Sequence, residues 1–444
     1  MWLVVLAACG GPGSDLDAGA DSGGNSRDAG SSFDAGAIED AGAIEDAGAI
    51  EDAGVLEDAG ALDGGRVGPL DAGRTFEVPS SSFAPGVLSG PPSRAELLPL
   101  PGGGVGGPVL TSNNPEVFTG DGLLYGNARP SPTRGGAAYP LSGAFGVYLH
   151  HLNRSGATRH VAILVTNPNA ADVTVTLRGS GYSQTETGGL GLGSSPDYVV
   201  SREWILDRPQ TVVDGAVLAP SRGLLVWQKQ VNDGAEVDGR FALTTDAPVF
   251  VYVVATADPS LASALTASRI DAPGDYRISG DPPPPFGREC GVYAHDTWQA
   301  RFDAEIPASP SRVSMMVNTA TGGGLAQVQA FPALAHYDGS AREAVGMYGN
   351  VYDLDVGLVH DGRDPAPRRV RVRFHSLATG TASRWWDGVG VVDGTATVLR
   401  HVPGSVSTTL ADVTLSAGET RRIRFRAMVP GLASIPQALS IESY

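Results

Sequence analysis

Lysine is almost missing from this chain of 444 residues: of its 31 basic side chains only Lys229 is a lysine, and the rest are arginines. Reactions that run through a lysine therefore have one candidate, and no glycine-rich phosphate loop surrounds it. Cysteine is nearly as scarce. Cys9 and Cys290 are the only two, which excludes a disulfide-rich scaffold and a four-cysteine zinc site. No run approaches the roughly 20 apolar residues of a membrane-spanning helix, and no stretch keeps a helical period beyond about two turns. The His-Glu-x-x-His, Gly-x-Ser-x-Gly and Gly-Lys-Ser/Thr signatures are all missing. So is a surplus of positive charge: the formal charge is -17, and a basic nucleic-acid surface is not expected.

What is present is unevenly spread. Residues 1–75 hold 15 acidic residues against 3 arginines, which gives them -12 of the chain's -17. The chain opens with an apolar run that closes on Leu6-Ala7-Ala8-Cys9. Such a run ending in small residues is the processing end of a secretory signal. These four residues resemble the lipobox of bacterial lipoproteins, whose cysteine is acylated. No Lys or Arg precedes the run, so the true start is expected further upstream. Residues 1–9 are expected to be a lipoprotein signal segment with Cys9 as the lipid-attachment residue. That places the protein in the bacterial cell envelope, at the outer membrane or cell surface, with the membrane as one partner. Lipidation would leave Cys290 as a small buried hydrophobe. His295 follows five residues later, and on a strand that spacing points the two side chains to opposite faces. No thiol–imidazole pair is expected.

From residue 10 the composition narrows to Asp, Ala, Gly and Ser, with Asp-Ala-Gly at 17, 28, 34, 40, 46, 52, 58 and 71. From Ala37 the repeat tightens to a six-residue period. Hexapeptide periods can build a parallel β-helix, but two adjacent carboxylates per copy would stack like charges along it. Residues 10–75 are expected to be a disordered, self-repelling spacer, and 76–108 a Pro- and Gly-rich approach segment. Beyond it come short runs of strand-type residues between turns, at 160–166, 172–178, 223–231 and 248–257. More follow at 291–302, 311–318, 325–331, 351–359, 369–375, 395–402 and 421–429. Between the two sets, 271–287 carries four consecutive prolines, Pro282 to Pro285, and reads as a linker. The expected fold is all-β: two β-sandwich domains, 109–270 and 288–444, after a disordered tail. The halves echo each other as a duplication would, and one continuous sheet-rich unit is the alternative.

Several segments, taken in order, carry a family likeness. They are Leu110-Thr-Ser-Asn-Asn-Pro-Glu-Val117, Phe145-Gly-Val-Tyr-Leu-His-His151 and Ala162-Ile-Leu-Val-Thr-Asn-Pro168 in the first half. Ala326-Gln-Val-Gln-Ala330, Met347-Tyr-Gly-Asn350 and the closing 415–443 continue it. Together, over about 96 to 443, they resemble the bacterial domain of unknown function 3370 family. The resemblance implies a secreted or envelope-associated protein without an assigned activity. It supplies no mechanism.

Candidate binding residues come from composition. Trp385, Trp386 and Asp387, with Tyr348 and Asn350, could form an aromatic platform on which a sugar ring packs, or simply divide between core and rim. Arg371 and Arg373, and again Arg424 and Arg426, alternate with apolar residues, so each set lines the solvent face of a half-buried strand. Side by side, two such strands would attract anionic glycans or headgroups. His150 and His151 are adjacent, face opposite ways on a strand and cannot share one metal there. The acidic stretch 233–239 offers oxygens that suit a hard cation, yet it lacks EF-hand spacing and fits a polar hairpin tip equally. The glycine clusters at 102–107 and 188–193 read as loops. No catalytic residue, metal or cofactor is expected. The function expected is a lipid-anchored, non-enzymatic structural or interaction module whose partner is an envelope glycan or another envelope protein, not nucleic acid. A carbohydrate-binding module or adhesin is the alternative, and a hydrolase of envelope polymers a third reading.

Overall fold

The computed structural model describes residues 75–86, 90–128, 131, 134–185, 195–276, 288–319, 327, 329–377, 386–431, 433 and 436–444. Cys9, the acidic repeats, the four prolines, the 188–193 glycines and Trp385 lie outside the described residues. The all-β expectation holds: strands dominate, and the described residues contain two helices, α1 (Pro196–Ile205) and α2 (Leu261–Ala267).

Four short strands come first: β1 (Phe76–Val78), β2 (Ala84–Pro85), β3 (Leu97–Leu98) and β4 (Gly103–Val105). The first sandwich then uses β5 (Val109–Ser112), β6 (Val117–Phe118), β7 (Gly122–Gly126), β8 (Leu141–Asn153) and β9 (Arg159–Thr166). It is completed by β10 (Val173–Thr185), β11 (Gln210–Leu218), β12 (Gly223–Val231) and β13 (Ala235–Thr256). β13 runs through both layers. Its first half lies between β10 and β8, its register slips between Thr245 and Val249, and its second half lies between β9 and β7. Val147, Leu149, Val175 and Phe241 from one layer meet Ile163, Val165, Val251 and Val253 from the other. β9 is apolar on both faces because Ala162 and Leu164, on its far side, pack under α2.

The second half contains β14 (Cys290–Tyr293), β15 (Thr297–Glu305), β16 (Ser311–Val317), β17 (Phe331–His336), β18 (Glu343–Ala344) and β19 (Val351–Val359). After these come β20 (Arg368–Ser376), β21 (Trp386–Val392), β22 (Thr395–His401), β23 (Ser407–Leu415), β24 (Thr420–Met428) and β25 (Gln437–Ser443). One sheet is ordered β1-β15-β19-β24-β21-β22 and the other β2-β16-β25-β20-β23. Phe302, Leu354, Ile423 and Phe425 of the first face Val313, Met315, Phe374 and Ile441 of the second across a common core.

The sheets do not divide the chain at the Pro-rich segment. β14 pairs with β5 on one side and β17 on the other, so strands from before and after 271–287 share one sheet. The run expected at 291–302 therefore splits into β14 and β15, which enter different sheets. The opening strands cross the other way. β1 and β4 pair with β15, and β2 and β3 with β16, all in the second sandwich.

Two expectations are corrected here. The glycine cluster at 102–107 is not wholly loop, since Gly103–Val105 is a strand. Only glycine fits beside β15: a Cβ on Gly102 would stand 1.9 Å from the Gln299 carbonyl oxygen, and one on Gly104 2.3 Å from the His295 ring. The second correction is α1, a helix of 10 residues where no long helical period shows. Ser195 caps it by accepting from the Tyr198 amide, and Pro196 occupies its first turn, where a missing N–H costs nothing. Its buried positions include Asp197 and Ser201 beside Val200 and Ile205, so its apolar stripe is broken.

Candidate metal centre

The functional geometry starts from strand alternation. On β8, Tyr148 and His150 share one face and His151 takes the other. His151 turns into the first sandwich, where its Nδ1 donates to the Pro115 carbonyl at 2.8 Å and its Nε2 accepts from Ser112 Oγ at 2.9 Å. Burial holds this ring neutral, far below the usual imidazole range, at about 3. On β13, Glu236, Asp238 and Arg240 occupy the face that His150 shares, with Asp238 directly opposite His150 and Arg240 opposite Tyr148.

That face is not solvated. α1 lies over it and also reaches the second sandwich, where Val200 and Ile205 pack with Val351, Val389 and Met428. Ser195 Oγ donates to Asp387 of β21 at 2.8 Å, and Ser201 Oγ accepts from the Val389 amide. Arg240 is consumed in the same seam, donating to the Gly349 carbonyl at 2.9 Å and standing 3.6 Å from Asp296. The helix so placed delivers Asp197, in its first turn, to His150.

The result is one imidazole among three carboxylates. His150 Nδ1 stands 3.4 Å from Asp238 Oδ1, 3.7 Å from Asp197 Oδ1 and 3.8 Å from Glu236 Oε1. Asp197 and Asp238 are 0 % exposed, Glu236 2 % and His150 3 %. His150 Nδ1, Tyr148 Oη and both carboxylate oxygens of Asp197 and of Asp238 have no hydrogen-bond partner. Burial opposes protonation of His150, but Asp238, Glu236 and Asp197 outweigh it and raise the ring to about 10. Burial and the same acidic neighbours push the Asp197 carboxyl well above the carboxylate range. Gly431 closes the cluster. A Cβ there would stand 2.4 Å from His150 Nδ1, 2.5 Å from Asp197 Oδ1 and 2.8 Å from Tyr148 Oη. Any side chain at this position would collide with His150, Asp197 and Tyr148, so only glycine fits against them.

Of the residues read from sequence as candidates, His150 contributes to this cluster, together with Glu236 and Asp238 of the acidic stretch 233–239. Trp386 is fully buried, its ring edge-on to Phe374 in the second core, so it offers no surface to a sugar. Asp387 is buried beneath Ser195 and Arg400, Asn350 is buried, and half-buried Tyr348 donates to the Ala433 carbonyl. The arginine strands lie in opposite sheets of the second sandwich, β20 in one and β24 in the other, and do not form one patch. Each arginine also meets an acid: Arg371 with Asp412, Arg373 with Glu442, Arg424 and Arg426 with Asp353. Cys290 is buried and its thiol is pushed up to about 12 by that burial. Two surface hollows, of about 320 and 340 Å³, flank α2 and Tyr444, and the cluster lies in neither.

Sequence reading offered Glu236 and Asp238 as oxygens for a hard cation but missed Asp197 and the pairing of all three with His150. The hairpin turn precedes β13, and Glu236 and Asp238 stand inside the strand rather than at a polar tip. Their two-residue spacing places both on one face, and Ser195-Pro196-Asp197 is a helix-start pattern. Those two signals were available.

Residues 95–189 match the family model described as "Protein of unknown function (DUF3370)". The likeness expected over about 96 to 443 is thus met in its first-half segments. No curated protein matches the sequence. Among solved structures, the chain is compared with the N-terminal CBM22-1-CBM22-2 tandem domain of Xyn10C from Paenibacillus barcinonensis, at 10% identity. That alignment covers 74% of this chain and 89% of the other, with a TM-score of 0.15. The PBSX exported protein XepA aligns at 11% identity over 69% of this chain and 84% of its own, with a TM-score of 0.14. At such scores neither likeness bears on fold or function.

Proposed function

We propose that the chain is a lipid-anchored protein of the bacterial cell envelope, a non-enzymatic structural or interaction module that holds an all-β body away from the membrane on an acidic spacer. Its proposed partners are the membrane, through Cys9, and an envelope glycan or a second envelope protein. The observation that carries this reading is the way the chain enters the body. Immediately after the acidic segment, β1 adds to β15, β2 and β3 to β16, and β4 to β15. Phe83 and Leu100, between these strands, are buried in the core of the second sandwich. Tension on the spacer is therefore taken up by ladder hydrogen bonds in both sheets of one sandwich rather than by a single loose junction. A body fastened in this way suits display at the end of a tether. Its most perturbed ionisable groups are sealed inside, which suits a structural role better than chemistry on an external substrate.

Growth on labelled fatty acid tests the anchor. Label is expected in the wild-type chain but not in Cys9→Ser, and the variant is expected to leave the membrane fraction. Equal labelling of the two chains would overturn the reading.

A further inference from the structure

The geometry points to a structural divalent transition-metal site formed by His150, Asp197 and Asp238, an ion of the zinc or manganese class that fixes α1, the helix seated on the second sandwich, to β8 and β13 of the first. It does not depend on how the chain is tethered.

The argument begins with charge. The Asp197 and Asp238 carboxyls beside one imidazole in a dry interior bring negative charge that must be neutralised by protons or by a cation. Distances separate these choices. A proton shared between His150 and a carboxylate draws the heavy atoms to about 2.7–3.2 Å. His150 Nδ1 instead keeps 3.4, 3.7 and 3.8 Å from its three acidic neighbours. Two donors each about 2.1 Å from a tetrahedral ion stand about 3.4 Å apart. All three separations are longer than an ordinary charge-assisted hydrogen bond, and the 3.4 Å between His150 and Asp238 matches the spacing of two ligands around a common ion.

Orphan atoms give the second, independent observation. His150 Nδ1 and the four carboxylate oxygens of Asp197 and Asp238 are buried without a hydrogen-bond partner. The mutual distances among the three residues' donor atoms stay within 4.8 Å. Buried polar atoms are normally satisfied, and here the unsatisfied ones point at each other. Gly431 packs its backbone against His150 and Asp197 where a side chain would collide with them, and Tyr148 Oη, unpartnered beside them, is a ready donor to a ligating carboxylate.

Donor type selects the ion. An imidazole nitrogen disfavours calcium and magnesium, which take oxygen, and the lack of sulfur disfavours copper(I). One nitrogen with carboxylate oxygens suits zinc or manganese. The ligands come from β8, β13 and α1, roofed by the segment after β24, so one ion would tie the first sandwich to the helix that packs on the second. Full burial fits a structural ion with no open position for substrate.

The test uses the full chain, dialysed and then assayed for zinc and manganese by mass spectrometry, with thermal unfolding before and after EDTA. The expected result is about one ion per chain. EDTA should lower Tm on the order of 5 °C or more, and one of the two metals should restore it. Asp238→Asn and Asp197→Asn should retain no ion and melt at a temperature indifferent to EDTA. The isosteric amides keep the shape of the site, so they also report on the alternative. If the wild type retains neither metal and Asp238→Asn raises Tm by relieving like-charge repulsion, the metal site is overturned.

Discussion

Individual side chains set the protein's response to acid. His375 and His401 are both completely buried in the second sandwich. His401 Nδ1 bonds Ser376 Oγ at 2.8 Å and its Nε2 bonds Thr408 Oγ1 at 3.0 Å, while His375 Nδ1 bonds Ser407 Oγ at 2.6 Å. Burial lowers His375 to about 3, helped by Arg373, Arg312 and His401, and lowers His401 to about 4. The unfolded chain takes up these protons below the ordinary value of 6.5, whereas the folded chain refuses them until pH 3 to 4. Stability contributed by keeping both rings neutral is thus complete above pH 6.5 and drains away as pH falls towards 4. The loss is of order 1.4 kcal/mol per pH unit for each ring. Urea unfolding at pH 7, 5.5 and 4 checks this. The double variant His375→Gln and His401→Gln should show a shallower decline, and an unchanged slope would contradict the assignment. Residue identity also explains why the tryptophan pair misleads. Trp386 takes a core position in the cluster that holds Phe374 and Phe425, as the core-and-rim alternative allows for it.

At the scale of elements, legibility follows how simply each one is packed. β12 and β19 occupy the expected residues, and β9 and β20 differ from expectation by a residue at their ends. Their branched and aromatic side chains face a sandwich core directly, so local pattern and burial agree. β13 is legible only at its second half. Its first half buries Glu236, Asp238 and Arg240 against α1 and the second sandwich, and a buried charged face imitates a loop in sequence. α1 is hidden for a related reason. It is clamped between two sandwiches, with Asp197 and Ser201 among its buried positions, so its periodicity never becomes one apolar stripe. Its cap nonetheless has two jobs, since Ser195 Oγ accepts from the Tyr198 amide and donates to buried Asp387. Ser195→Ala should cost about 1 kcal/mol for the cap and more for the hydrogen bond withdrawn from a buried carboxylate. Chemical denaturation would show a total near 2 kcal/mol or above. A loss of a few tenths would mean that α1 is held by packing alone.

For the molecule as a whole, two cores are present but their borders are shared. β14 extends the first sandwich's sheet from beyond the Pro-rich segment, β1 to β4 complete the second from before the first begins, and α1 is buried between them. Cooperative coupling follows from such exchange. Hydrogen exchange in β9 and in β20 should therefore collapse in one thermal transition. A fragment of residues 109–270 alone, which leaves β5 without β14 and α1 without β21, should lack a cooperative melt. Two separated transitions, or a fragment as stable as the full chain, would instead establish independent domains. No sequence pattern reveals this sharing, because each local run looks complete by itself and its partner lies far along the chain.

The stitched opening strands also impose a timetable. The Leu100 amide donates to the Gln327 side chain, 227 residues away, and β3 lies beside β16 while β16 itself needs β25 from the chain's last residues. A ribosome delivers the N-terminal segments first. The earliest strands to appear are thus left waiting, edges unpaired, until β15 and β16 have been made. Long-range closure of this kind is slow, and the last strand to arrive is β25, which must enter between β16 and β20. Until then the nascent chain has no finished second sandwich to resist being drawn out as an extended thread.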